Sequence, residues 1–131
     1  MSDEKKQIYI VDDDESICRA LKTLLMTYKY DVTTFHSAKS FFAAISNDDA
    51  GCLILDIRMP EMDGWAVQKK IADSGSKRPV IFISADHLDN AADHALKVGA
   101  VGFLEKPFSD QALISMIELG ELNIMKKPTS H

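Results

Sequence analysis

Three continuous apolar runs, IYIV (8–11), CLIL (52–55) and VIFI (80–83), constrain this chain more than any other feature. They are rich in β-branched residues and too short to be helices. A strand that is apolar at every position has both faces covered, which is the condition of a parallel sheet between helical layers. Two mixed runs, VTTF (32–35) and VGFL (101–104), suit strands at sheet edges. Helical period fits the segments between. Ile17, Leu21, Leu24, Leu25 and Tyr28 fall on one helix face, Ala92, Ala95, Leu96 and Gly99 on another, and Leu113, Met116 and Ile117 on a third.

The punctuation agrees. Asp14 and Ser37 are placed to cap helices, Gly64 opens a helix after the turn MPEMD, Gly75 and Gly99 fall where helices end, and Pro79 begins a strand. About five β-α units in strict alternation predict an α/β, doubly wound five-stranded parallel sheet. At 131 residues the chain suits one domain, expected over 1–122, with a polar tail at 123–131 as the possible start of a linker. A net charge of -5 argues against nucleic-acid binding, which needs an excess of Lys and Arg at phosphates. Cys18 and Cys52 lie in apolar runs and read as small buried hydrophobes in a reducing compartment. The polar start MSDEKKQ has no apolar signal region, and no apolar run is long enough to span a bilayer. The expected setting is cytoplasmic, with no membrane partner.

Directly after the first strand come Asp12, Asp13, Asp14 and Glu15. Two carboxylates ~4 Å apart repel by roughly 4 kcal/mol at an effective dielectric of ~20. Such a group is either spread over solvent or held by a cation. In an open parallel sheet, ligands bind beyond the carboxyl ends of the strands. Those ends carry Asp12 and Asp13, then Asp56, Ser84 and Lys106. Singly, each has a bland reading: an aspartate there is more often a turn former or cap, Ser84 starts a turn, and Lys106 solvates an edge strand. Together at one sheet edge they make a chemical site. Hard oxygen ligands of this kind suit Mg²⁺, with Mn²⁺ as a substitute, beside a transferring phosphoryl group. His36, His87, His94 and His131 lack ligand spacing, so zinc is not expected; His87 and His94 are expected on the exposed face of the fourth helix. Trp65 beside the MDG turn reads either as a fluorescent reporter near the site or as helix-start packing.

The segments VDDD (11–14), LDIRMPEMDG (55–64), ISAD (83–86) and FLEKPF (103–108), in this order and spacing, resemble the receiver domain of two-component response regulators over nearly the whole chain. The resemblance implies a flavodoxin-like sheet of order 2-1-3-4-5. It implies that Asp56 accepts a phosphoryl group from a histidine kinase or phosphotransfer protein, and that the chain catalyses both this transfer and its own later dephosphorylation by water. Asp12, Asp13 and Asp56 would hold Mg²⁺ together with the backbone carbonyl of Arg58. Ser84 and Lys106 would contact the phosphoryl oxygens, and the Lys106–Pro107 bond would be cis. Ser84 and Phe103 would form the switch, altering a face made by the fourth helix, fifth strand and fifth helix that is often a receiver homodimer contact. Arg58 and Asp86, of opposite charge, flank the expected water path and are placed to pair and slow phosphoryl hydrolysis; two solvated rim residues are the plainer reading.

The main rival is a Mg²⁺-dependent haloacid-dehalogenase-type phosphohydrolase, with Asp12 as nucleophile and Asp14 as acid/base. It leaves Asp56 unexplained and has no acidic motif after Lys106. A flavin binder would need a phosphate-cradling loop where the acids stand. GAVGFLEKPF most resembles receivers that precede LuxR-type DNA-binding domains. Two readings therefore stay open: a single-domain regulator acting by protein contact, or the receiver portion of a longer transcription factor.

Overall fold

The apolar runs become the centre of a sheet. In the computed structural model, which describes residues 6–46 and 49–126, they are strands β1 (Gln7–Val11), β3 (Cys52–Asp56) and β4 (Val80–Ser84). The mixed runs are β2 (Asp31–Phe35) and β5 (Gly102–Glu105). All neighbours pair in parallel in the order β2-β1-β3-β4-β5, so the two mixed runs do lie at the edges. Helices α1 (Glu15–Thr27), α2 (Ala38–Ala44), α3 (Gly64–Asp73), α4 (Ala91–Lys97) and α5 (Asp110–Lys126) complete a doubly wound α/β fold.

Alternation along each central strand feeds two cores. Ile8, Ile10, Ile54, Ile81 and Ile83 meet Leu21 and Leu25 of α1 and Leu113 and Ile117 of α5 on one face. Tyr9, Val11, Leu53, Leu55 and Phe82 meet Phe41 of α2, Val67 and Ile71 of α3, and Ala95 of α4 on the other. Each fully buried Leu, Ile or Phe contributes roughly 1.5–3 kcal/mol. At the sheet edge where β3 and β4 begin, the Arg78 guanidinium donates to the Gly51 and Ser46 carbonyls at 2.9 and 3.0 Å and lies over the Tyr9 and Phe41 rings. Cys18 and Cys52 are free and buried. No helix among the described residues is long and apolar enough to cross a membrane.

The caps follow the sequence. Asp14 Oδ1 accepts from the Ser16 and Ile17 amides at 2.9 and 3.3 Å, and Ser37 Oγ accepts from Ser40 at 3.1 Å. Gly75 and Gly99 follow α3 and α4 with φ of 87° and 90°, a region that glycine enters without steric cost. Three expectations need correction. The inward residues of α4 are Ala91 and Ala95, while Ala92 and Leu96 face solvent, Leu96 at 61% exposure. The helix starts at Ala91 after a left-handed Asn90, and that start sets a phase which the more apolar Leu96 misrepresents. Tyr28 is the C-cap of α1 and exposed. The helix α5 runs to Lys126, so the expected boundary at 122 falls inside it; the rest of the tail, with His131, lies outside the described residues.

Candidate functional site

Parallel pairing brings the strand ends into line. Asp56 closes β3, one position behind Ser84 in register, because Asp56 pairs with Ile83. Ser84 closes β4 opposite Glu105, which puts Lys106 one step beyond β5. Asp12 and Asp13 leave the end of β1, which lies beside β3. Asp12 and Ser84 are fully buried, Asp56 is 5% exposed, and Asp13 is exposed.

Asp12, Asp13 and Asp56 can each offer a carboxylate oxygen with all three atoms within 4.8 Å of one another. Lys106 Nζ donates to Asp12 Oδ2 at 3.0 Å and stands 3.9 Å from Asp56 Oδ1. The Asp14 amide donates to Asp12 Oδ1 at 2.9 Å, so both Asp12 oxygens are engaged. Burial, followed by the charge of Asp12, pushes the Asp56 carboxyl up to about 7; the Lys106 ammonium and a hydrogen bond from the Arg58 amide pull the other way. Three carboxylates facing one ammonium leave an excess of negative charge on hard oxygen donors. That donor set fits a divalent cation of the Mg²⁺ type, whose charge would hold Asp56 ionised.

Around this cluster the turns are tied to the strand ends. Ser84 Oγ accepts from the Asp86 amide at 3.1 Å, and the Ser84 carbonyl accepts from the Lys106 amide at 2.7 Å. Lys106–Pro107 is cis. Phe103 pairs with Phe82 and therefore points to the same side of the sheet as Phe82 and Ser84, half-buried against the second core. Arg58 Nε lies 3.4 Å from Asp86 Oδ2, both side chains being more than half exposed. An apolar recess beside Lys106 is lined by Ile17, Ala20, Leu21, Pro107 and Phe108.

Other singled-out residues lie elsewhere. Trp65 packs on Phe82 and His94, with ring centroids 4.4 and 4.3 Å away. His87 is not on α4 but in the turn before it, with ring nitrogens 3.2 Å from Glu105 and 3.4 Å from Asp89. Its hydrogen bond to Glu105 raises its pKa. Neither it, His36 nor His94 joins the acids. The ion pair from Lys106 to Asp12 was not foreseen: the residue types predict a cation near the acids, but not which acid takes it. The burial of Gln68 on α3 was also missed, since glutamine at a helix position carries no sequence signal for burial.

Comparison with known proteins gives a consistent result. The family model described as the response regulator receiver domain matches residues 8–118. The response regulator protein TmoT of Ectopseudomonas mendocina is 43% identical over 117 residues, 89% of this chain and 53% of that protein. The transcriptional regulatory protein FixJ of Bradyrhizobium diazoefficiens is 38% identical over 87% of this chain and 56% of its own length. This chain thus spans about half the length of these curated relatives. Among solved structures, the response regulator StyR superposes with a TM-score of 0.86 at 37% identity, over 95% of this chain and 63% of that one. The structure named FixJ-N gives 0.82 at 33% identity, over 91% and 95%.

Proposed function

Because this chain belongs to the response regulator receiver domain family, we propose that it accepts a phosphoryl group on Asp56 from the phosphohistidine of a histidine kinase or phosphotransfer protein, in a Mg²⁺-dependent reaction. One observation carries the reading: Lys106 Nζ stands between two buried acids, 3.0 Å from Asp12 and 3.9 Å from Asp56, while Asp13 completes the oxygen cluster. A carboxylate oxygen of Asp56 forms the new bond to phosphorus as the phosphorus–nitrogen bond breaks and its electron pair leaves with the imidazole. Asp12, Asp13, Asp56 and the Arg58 carbonyl would hold Mg²⁺, which would supply positive charge against the phosphoryl oxygens. In this reading Lys106 turns from Asp12 toward the added charge, and the Ser84 hydroxyl donates to a phosphoryl oxygen. Movement of Ser84 would free space on the sheet face that Phe103 already borders. The consequence is a changed face of α4, β5 and α5, read here as a receiver homodimer contact, in a cytoplasmic signalling protein that itself binds no nucleic acid.

The phosphohydrolase alternative is less well served. As its nucleophile, Asp12 would be fully buried with both oxygens engaged, and Asp14, its acid/base, is occupied as a helix cap. Intact-mass spectrometry after incubation with a small phosphodonor separates the two. We expect gain of one phosphoryl group in wild type and in Asp14→Ala only when Mg²⁺ is present, and none in Asp56→Asn. Equal gain in Asp56→Asn would transfer the nucleophile's role to another acid.

A further inference from the structure

Gly64, the first residue of α3, has no room for a side chain. A Cβ there would lie 2.8 Å from both the Asp56 carbonyl oxygen and the Ile57 Cα, and the Gly64 amide donates to the Ile57 carbonyl at 2.7 Å. The start of α3 therefore rests on the backbone of Asp56, and a shift of one must be felt by the other. Trp65 comes next. Its ring lies 4.4 Å from Phe82 in the core and meets the exposed His94 of α4 edge to face at 4.3 Å. Gln68, a turn further on, donates from Nε2 to the Val98 carbonyl at 3.0 Å, at the far end of α4. Its burial is nearly complete at 5% exposure, and Oε1 has no hydrogen-bond partner, so the amide is tied at one end and unsatisfied at the other.

Beyond its packing on β5, few features hold α4 itself in place. It has seven residues, a left-handed Asn90 with no side-chain cap, and a buried face made of Ala91 and Ala95. Small side chains give little contact area to resist sliding. The two contacts from α3 act at one residue in the middle of this helix and at its C-cap.

Resting on the reading of Asp56 as phosphoacceptor, we propose that α3 is a lever between the acidic site and α4: the Trp65–His94 and Gln68–Val98 contacts carry displacement of the Asp56 backbone to α4, making Trp65 and Gln68 positioning residues for the signalling face. This route runs through α3 and does not pass through Ser84 or Phe103. The Trp65 ring, braced on Phe82, supplies the stiffness, and the amide of Gln68 supplies the second point that turns a push into a rotation.

The experiment compares hydrogen exchange of the α4 amides with and without phosphodonor and Mg²⁺ in the full chain, with intact mass recorded on the same samples. Wild type is expected to show a phosphorylation-dependent change across 91–98. His94→Ala and Gln68→Leu are expected to gain the phosphoryl group as wild type does, while that change shrinks at least about threefold. His94→Phe, which keeps the ring contact, restores it; a merely structural role would shift basal exchange but not this difference. Full wild-type change in both His94→Ala and Gln68→Leu overturns the lever. A wild-type chain that gains the group without any change in α4 overturns it alone. A wild-type chain that gains no group overturns the reading of Asp56 and the lever with it, and the mass spectrum tells the two failures apart.

Discussion

Asp56 binds its proton more tightly in the folded chain than in the unfolded one, with a value near 7 against an ordinary 3.8, because burial and Asp12 oppose its charge. Between those values the native state holds more protons than the unfolded state, so this residue's contribution to stability falls as pH rises from about 4 to about 7. Metal-free thermal unfolding is expected to show that loss between about pH 4 and about pH 7. Asp56→Asn should flatten the slope and raise the melting temperature at pH 8 by roughly 4 °C for each kcal/mol recovered. Parallel curves for the two proteins would remove Asp56 as the cause. Arg58 and Asp86 make a different case: their pair is more than half exposed at 3.4 Å and contributes under about 1 kcal/mol to stability. Arg58→Ala and Asp86→Ala are therefore expected to leave unfolding nearly unchanged and to shorten the lifetime of the aspartyl phosphate, followed by mass over time. Unaltered decay in both would return the pair to a solvated rim. That these acids converge was legible in the sequence, since strand ends fix the position of the first residue after them. The side-chain geometry was not, because a lysine reaches several acids from one backbone position.

Among the elements, α3 begins directly against the backbone of the site. Gly64→Ala would place a methyl group 2.8 Å from backbone atoms of Asp56 and Ile57, neither of which can yield as a side-chain tip can. An overpacked contact of this kind costs about 1–3 kcal/mol. Misplacement of the reacting carboxylate should also slow phosphoryl gain by about tenfold or more, read as a mass time course. Wild-type kinetics would mean that the start of α3 moves freely. Element type was legible throughout, since unbroken apolar runs and 3.6-residue spacing seldom compete. Phase was harder. The inward face of α4 was assigned through Leu96 and is set by Ala91 and Ala95, because the position of a short helix follows from its first residue and its neighbours more than from its own side chains.

At the level of the whole molecule, two cores lie on opposite faces of one sheet and leave the helices as the outer surface. Leu96 on α4 and Leu119 and Leu122 on α5 remain exposed there. If phosphorylation joins two copies through this surface, size-exclusion chromatography with phosphodonor and Mg²⁺ should move wild type toward a dimer, and Leu96→Glu should prevent the move without reducing phosphoryl gain. A monomer under both conditions would point to a partner other than a second copy. The sheet order was legible only through resemblance, since composition and period predict parallel strands without ranking them. The edge strands have a consequence of their own. β5 has only four residues, ends on Glu105 and runs into Lys106 and Pro107, and β2 opens on Asp31. Charges and a proline at a sheet margin discourage the strand-to-strand stacking that seeds fibrils. Growth of the sheet from one copy to the next is thereby disfavoured at both of its margins.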